Sequence, residues 1–123
     1  MKTALDILKD ARQLISKEYN WCKYDMAKMP SGSSITCLDY IGCFETHPEA
    51  CKWCSIGAIK KSSDQTMSVI DAQWDEYLSA RYAIEDIVVA LGYEDISEWN
   101  DHPTTTHQNV MNVFDDGIQQ LTP

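Results

Sequence analysis

The sequence predicts a mainly α-helical fold, a compact domain of four helices with a short hairpin or irregular loop inserted between helices 1 and 2. Three observations lead to this prediction. The 123 residues are 44% hydrophobic and 24% charged, which is typical of one globular domain over residues 1–123. Apolar residues recur at helical spacing in several segments. Turn-forming residues interrupt the pattern around Gly32 and Gly92.

The first helix is predicted from Thr3 to Tyr19. Thr3, followed by Asp6 three residues later, is a variant of the capping box that satisfies free amides at a helix start. Turn formers from Pro30 to Ser34 follow, and aromatic and β-branched residues flank them at 21–29 and 35–44. These flanks favour the hairpin or irregular loop. The apolar positions of the helix are Leu5, Ile7, Leu8, Ala11, Leu14 and Ile15.

The second and third helices are predicted from their cap and stop residues. Thr46 opens a helix that runs to about Lys61, since a hydroxyl cap precedes a proline in the first turn. The third helix runs from Ala72 to Leu91 and ends at Gly92, a residue that tolerates positive φ. Its buried face is predicted to contain Ile70, Trp74, Tyr77, Ile84, Val88 and Leu91.

The last third of the chain predicts a single helical turn and a final helix. The turn covers 96–99 and is broken by Pro103. Thr105, with Gln108 three residues later, is predicted to cap the final helix. Gly117 interrupts that helix and indicates close contact with a neighbouring element. The apolar positions are Val110, Met111, Val113, Phe114, Ile118 and Leu121.

The two halves of the chain differ in charge. The whole chain has 10 Lys and Arg against 19 Asp and Glu, a net charge of −9. Residues 1–61 hold nine bases and seven acids, a net charge of +2, whereas residues 62–123 hold one base, Arg81, and twelve acids, a net charge of −11. The acidic second half of the chain repels phosphate groups, which argues against direct nucleic-acid binding through that half. It raises the alternative of a surface for a basic partner, although simple solubility is the favoured explanation of the acids.

Candidate partner-binding residues lie on the third helix and in the turn before the last helix. Asp71, Asp75 and Asp86 belong to the predicted outer face of the third helix. Trp99-Asn100-Asp101 places an aromatic ring, an amide and a carboxylate in one connection, as functional loops often do. A structural interpretation is also open, in which the ring fills the core and the polar pair holds the turn.

Four of the five cysteines and one histidine raise the alternative of a small zinc-binding module in residues 37–54. Zinc takes four soft donors in tetrahedral geometry, and the candidate ligands are Cys37, Cys43, Cys51 and Cys54, with His47 between them. The spacing is poor for zinc, because the second helix is predicted to contain the last two cysteines, one turn apart. Packing as small buried residues is therefore favoured, and no cofactor is expected.

Enzymatic chemistry finds little support in the sequence. A redox role for Cys51 and Cys54 needs a strand that enters a helix N-terminus, and none is predicted there. A nucleophilic cysteine with His102 or His107 as its base needs an exposed, strained turn, which is also not predicted. Neither a Walker phosphate loop nor a dinucleotide glycine motif occurs. The protein is therefore interpreted as a non-enzyme.

Apolar patterning and aromatic content bear on the location and assembly of the protein. No run of about 18 apolar residues occurs, and the charged residues near the start are unlike a signal peptide. These features predict a cytoplasmic protein without membrane contact. Four Trp and six Tyr exceed what so small a core needs, so a homodimer is a possible state.

Three short motifs give the sequence a family resemblance. They are Trp21-Cys22 after the first helix, Cys54-Ser55-Ile56-Gly57-Ala58-Ile59, and Ser97-Glu98-Trp99-Asn100-Asp101 before a proline, a threonine cap and the last helix. In order and spacing the chain resembles a small uncharacterised family of mostly helical proteins in bacteria and their phages. The resemblance implies a helical fold and no established activity. Gly57 and Ala58 would allow another backbone to approach the second helix closely.

The functional hypothesis from the sequence is a non-enzymatic acidic interaction protein. It would be a phage-encoded inhibitor or modulator that binds a basic host protein, on a surface that otherwise binds nucleic acid. The lopsided distribution of acids motivates this hypothesis.

Overall fold

A computed structural model describes residues 2–31, 50–63 and 72–123 of the chain. The elements, in chain order, are helix α1 (Ala4–Leu14), a 3-10 turn (Glu18–Asn20), strand β1 (Ala27–Lys28), strand β2 (Lys52–Trp53), and helices α2 (Ser55–Ser62), α3 (Ala72–Ala90), α4 (Ile96–Asp101) and α5 (His107–Leu121). The mainly α-helical prediction is confirmed. No helix in these ranges is long and apolar enough to cross a membrane.

Helix α1 begins as predicted and ends early. The hydroxyl of Thr3 accepts a hydrogen bond from the backbone N–H of Asp6 at 3.1 Å. The helix stops at Leu14 rather than at Tyr19, so the predicted end is wrong by one and a half turns. Ile15 is fully buried, whereas no side chain from 16 to 20 is. A longer helix would bury no further apolar surface against the core, and tertiary packing supplies most helix stability.

The two strands pair across a long stretch of sequence. β1 and β2 are antiparallel, with Ala27 opposite Trp53 and Lys28 opposite Lys52. The predicted hairpin flank at 35–44 lies outside the described residues, and β1 pairs instead with the residues just before α2. This ladder shows that the predicted second helix is wrong over residues 50–54.

Helix α2 starts about two turns later than the sequence predicted. Cys51 donates its backbone N–H to the carbonyl of Lys28 at 3.0 Å, so it extends the strand pairing. Cys54 is the N-cap, and its Sγ accepts a hydrogen bond from the N–H of Gly57 at 3.3 Å. The sulfur of Cys54 therefore takes the capping role that Ser, Thr, Asp or Asn usually has. For this reason the residue type did not indicate a helix start at Cys54.

Helix α3 separates a buried face from an acidic face. Tyr77, Ile84 and Val88 are fully buried, as predicted. Leu91 is 61% exposed, so its predicted burial is wrong. The helix ends at Ala90, and Gly92, with φ +105°, turns the chain away; Ile96 then fills that end of the core. The opposite face is exposed as predicted at Asp75 and Asp86, while Ile70 and Asp71 lie outside the described residues.

Helix α5 is capped one residue later than predicted. The capping pair is Thr106 and Asn109, with Asn109 N–H donating to Thr106 Oγ1 at 3.1 Å and Thr106 N–H donating to Asn109 Oδ1 at 2.8 Å. Thr105 is buried instead, so the predicted cap is wrong. The close contact predicted at Gly117 is confirmed, because a Cβ there would lie 2.7 Å from Cδ1 of Ile84.

The core lies between α1, α3 and α5, with α2 and α4 closing it. Fully buried side chains come from all five helices, and they include Ile7, Leu8, Ile59, Tyr77, Ile84, Ile96, Trp99, Val110 and Phe114. The amphipathic stripes predicted for α1 and α5 supply much of this set. The packing fixes α4 against the loop that follows the 3-10 turn, where the candidate functional residues meet.

Candidate functional site

Asn100 is the centre of a buried hydrogen-bond network. It is 1% exposed, and its Oδ1 accepts from the indole Nε1 of Trp21 at 2.9 Å, the backbone N–H of Ser55 at 3.0 Å and the Ser55 hydroxyl at 2.7 Å. Its Nδ2 donates to the carbonyl of Cys22 at 3.1 Å and to Oδ1 of Asp101 at 3.0 Å. One amide thus joins α4 to α2 and to the loop after α1.

That loop, residues 21–24, is held at every position by residues 100–102. Besides the two bonds to Asn100, Lys23 Nζ donates to the carbonyl of His102 at 2.7 Å, and Tyr24 N–H donates to Oδ1 of Asp101 at 2.8 Å. Tyr24 has φ +74°, which is uncommon for a bulky residue and costs energy. The carboxylate of Asp101 stabilises this conformation by accepting the tyrosine N–H.

The predicted partner-binding residues therefore differ in accessibility. Trp99 is 2% exposed and, like Asn100, offers no side-chain surface to a partner in this conformation. Asp101 is half-buried and engaged with the loop. Asp75 and Asp86 are exposed on α3. The geometry of the Trp-Asn-Asp turn agrees with its structural interpretation, because the Trp99 ring packs in the core and the side chains of Asn100 and Asp101 hold the 21–24 loop.

A small cavity lies between residues 24–26, the start of α2 and helix α4. Its volume is about 90 Å³, close to the share of three water molecules in the liquid and well below that of a typical small-molecule site. The wall residues are Tyr24, Asp25, Met26, Cys54, Ile56, Ser97, Asn100 and Asp101. The cavity accommodates solvent rather than a substrate.

The thiols of Cys22 and Cys54 are buried and weakly acidic. Burial raises the pKa of Cys22 to about 12, and the nearby Cys54 adds to the effect. Burial likewise raises the pKa of Cys54 to about 11, although the N–H of Gly57 opposes the shift. β2 does lead directly into α2, so the sequence was wrong to exclude that geometry. Even so, a thiol with a raised pKa is a poor nucleophile at neutral pH.

The zinc alternative rests on residues outside the described part of the chain. Cys37, Cys43 and His47 lie there, while Cys51 and Cys54 flank β2. Within residues 2–31, 50–63 and 72–123, no group of three or more His, Cys, Asp or Glu side chains is placed to hold a metal ion. Cys51 and Cys54 are also not one turn apart on a helix, which corrects their predicted placement.

Both buried thiols are expected to resist alkylation in the native protein at pH 7. A pKa of about 11 rather than 9.0 lowers the thiolate fraction of Cys54 about a hundredfold. Iodoacetamide labelling followed by peptide mass spectrometry measures each site, with the urea-unfolded protein as the control. Native labelling of Cys22 and Cys54 as fast as in urea would contradict this account.

The same shifts set the sign of the pH dependence. Folding raises both pKa values from 9.0, so the neutral thiols are favoured in the native state. Their contribution to stability is present below pH 9 and is lost as the pH rises through about 11 and 12.

A second, larger concavity lies between α3 and α5, which we call the acidic groove. Its volume is about 540 Å³, and its lining residues are Asp86, Ile87, Ala90, Leu91, Asp116, Gln119 and Gln120. No basic side chain lines it among the described residues. Arg12 and Asp115, 2.5 Å apart, form the only ion pair between the two halves within the described ranges. Among the described residues, neither Asp86 nor Asp116 forms an ion pair.

Sequence reasoning missed part of this groove. Leu91 was assigned to the core by its helical spacing, and Asp116 was not selected at all. A helical projection of α5 places Asp116 opposite the buried positions 110 and 114, which was an available signal. The pairing of α5 with α3 was not available from either segment alone.

Comparison with known proteins bears on the family alone. No curated protein and no solved structure matches the chain significantly. A model of a family of unknown function (DUF6197) matches residues 1–120, nearly the whole chain. This match agrees with the resemblance to an uncharacterised family that the sequence motifs indicated. The chain therefore belongs to the family of unknown function DUF6197.

Proposed function

We propose that this protein is a non-enzymatic acidic interaction protein that binds a basic protein segment in the acidic groove. The observation that carries the proposal is the groove itself, which is lined by exposed Leu91 together with the carboxylates of Asp86 and Asp116. In this proposal the partner is a basic host protein whose surface otherwise binds nucleic acid. The protein acts on it in the cytoplasm as a phage-encoded inhibitor or modulator, without a cofactor.

The groove combines three apolar side chains, which we call the apolar floor, with two acidic ones. Ile87, Ala90 and Leu91 supply the apolar surface, which attracts a partner through the hydrophobic effect. Asp86 and Asp116 lie on its two sides, one on each helix. A basic amphipathic segment matches this arrangement, because it can place an apolar side chain against Leu91 and a Lys or Arg beside each carboxylate.

Charge and apolar contact have different roles in such binding. Each exposed ion pair contributes only about 0.2–1 kcal/mol, so the affinity depends mainly on the apolar floor. The carboxylates speed association and select against acidic partners. Since exposed charges are screened beyond about 8 Å at physiological ionic strength, binding should weaken as salt is added.

The test uses a fluorescent, helical peptide of alternating Leu and Lys pairs as the basic probe. Fluorescence anisotropy measures its affinity at low and high salt. Asp86→Asn/Asp116→Asn is expected to weaken binding about tenfold, and Leu91→Ser should weaken it by a similar factor because it removes the apolar floor.

Two controls make the result specific. Asp6→Asn/Asp75→Asn removes two exposed carboxylates that do not line the groove, so it matches the change in charge and should leave binding nearly unaltered. Val89→Ser changes an exposed apolar residue that does not line the groove. An affinity that does not change with salt concentration would contradict the proposal. So would an affinity that falls as much in the two control variants as in the two groove variants.

A further inference from the structure

Large exposed apolar side chains lie next to charged residues at two places in the described part of the chain. Tyr19 and Tyr24, which are 68% and 73% exposed, lie beside lysines near the start of the chain. Leu91, which is 61% exposed, lines the acidic groove with two carboxylates. Tyr19 lines a hollow with two lysines and one carboxylate. The two places therefore differ in their balance of charge.

We call Tyr19, Trp21, Lys23 and Lys52, together with Tyr24 next to Lys23 in the chain, the basic aromatic surface. A hollow of about 520 Å³ is lined by the first four of these residues and also by Glu18 and Cys22. Lys23 Nζ lies 5.6 Å from the centroid of the Trp21 ring, a cation–π geometry. Two lysines against one carboxylate give the hollow a positive balance, opposite to that of the groove.

The fold holds this surface in place. The bonds from residues 100–102 fix the loop from Trp21 to Tyr24, including the unfavourable positive φ of Tyr24. Strain of this kind is retained where the surroundings impose it, and it is frequent at functional positions. Here its result is an exposed tyrosine ring on a rigid loop.

The two surfaces cannot meet within one molecule. The basic aromatic surface adjoins the start of α5, where the rings of Trp21 and His107 are 6.0 Å apart. The groove uses Asp116, nine residues later on the same helix. Nine residues advance the helix by about 14 Å and rotate it by about 2.5 turns, so Asp116 projects from the opposite side.

From this arrangement we infer that a second copy of this chain binds to the acidic groove through its basic aromatic surface. Lys23 and Lys52 of one copy meet Asp86 and Asp116 of the other, and a tyrosine ring covers Leu91. One type of contact then covers Leu91 and pairs both charged surfaces. The inference rests on the proposed function of the groove, and it makes the second copy a competitor of the basic partner.

The net charge of −9 on each copy opposes association, but weakly at physiological ionic strength. Repulsion between whole molecules acts over the distance between their centres, which exceeds the Debye length of about 8 Å. The two contact surfaces approach within that length, so their attraction is less screened. Because the surfaces are different, the contact is heterologous and produces chains unless the rotation closes.

Charge reversal tests the contact by sedimentation velocity over a concentration series at physiological ionic strength. Lys23→Glu/Lys52→Glu and Asp86→Lys/Asp116→Lys should each lose the association of the unmodified protein. An equimolar mixture of the two variants should recover it, since the reversed surfaces are complementary. Circular dichroism confirms that both variants fold, and Lys52→Glu alone keeps the Lys23–His102 hydrogen bond and should weaken association at least threefold.

A further variant removes the ring without adding backbone strain. Tyr24→Asn replaces the tyrosine with asparagine, which tolerates positive φ. This variant should weaken association at least threefold. Association that persists in both charge-reversed variants, or a mixture that stays monomeric, overturns the inference.

The two proposals fail separately. If the unmodified protein is monomeric at every concentration while the Leu-Lys peptide still binds the groove, self-association is wrong and the proposed function stands. If the mixture of variants associates but no basic peptide binds, the groove serves the second copy alone.

Discussion

Replacing Asn100 with alanine is expected to lower the free energy of unfolding by about 4 kcal/mol. The substitution removes five hydrogen bonds. It leaves the N–H and hydroxyl of Ser55, a residue with no exposed surface, without their acceptor. A buried polar group that loses its partner costs about 1–3 kcal/mol. Urea denaturation followed by circular dichroism measures the loss.

Asn112→Ala is the matched control for this change. Asn112 is exposed on α5 and accepts one hydrogen bond from Gln108, so its loss should cost no more than about 0.5 kcal/mol. Ser55→Ala in the Asn100→Ala background should cost less than it does alone, since the two residues are coupled. Equal costs for the two asparagines would show that the Asn100 network does not stabilise the fold.

Gly57→Ala is expected to be the most damaging small substitution in the chain, with a loss of at least about 3 kcal/mol. A Cβ at this position would lie 2.9 Å from the carbonyl carbon of Met26 and closer still to its oxygen. The obstructing atoms are backbone, so β1 or α2 has to move. Thermal unfolding measures the loss, and a shift of the Trp fluorescence spectrum would report displacement near Trp21 and Trp53.

Gly117→Ala provides the comparison, because it is the same exchange in another buried helix position. Its Cβ would meet the Cδ1 atoms of Ile84 and Leu8 at 2.7 and 3.3 Å, which are the ends of flexible side chains. Alanine also gains about 1 kcal/mol of helix propensity over glycine. The net change should be within about 1 kcal/mol of zero. A larger loss at Gly117 than at Gly57 would contradict the packing described here.

The sequence predicted the helices well where a long apolar stripe existed. α1, α3 and α5 each carry several buried residues at regular spacing, and their existence and approximate positions are confirmed. Their ends were less predictable. Thr105 and Thr106 are both adequate caps by chemistry, and only the burial of Thr105 in the assembled fold decides between them.

The region before α2 was not predictable from local pattern. In the sequence, Thr46 and Pro48 are typical of a helix start, yet residues 51–53 pair with β1, about 25 residues earlier in the chain. A strand of two residues has no periodicity to detect. The pairing of β2 with β1 depends on tertiary contacts. These are the close approach of Met26 to Gly57 and the hydrogen bonds that Asn100 makes to Trp21 and Ser55.

The candidate site was predicted in part. The Trp-Asn-Asp turn was recognised as unusual from its residues, but its side chains proved to hold the 21–24 loop. The exposed acids of α3 were predicted correctly at Asp75 and Asp86. The groove itself depends on how α3 lies against α5, and a helical spacing alone assigned Leu91 to the core rather than to that surface.

The most direct test of the acidic groove is a nuclear magnetic resonance titration of isotope-labelled protein with the Leu-Lys peptide. We expect the backbone amide signals that move to come from the C-terminal part of α3, near Asp86 and Leu91, and from α5 near Asp116. Asp75, about 16 Å from Asp86 along α3, should hardly respond. Shifts spread evenly over every exposed acid, Asp6 and Asp75 included, would show a diffuse negative field in place of a binding groove.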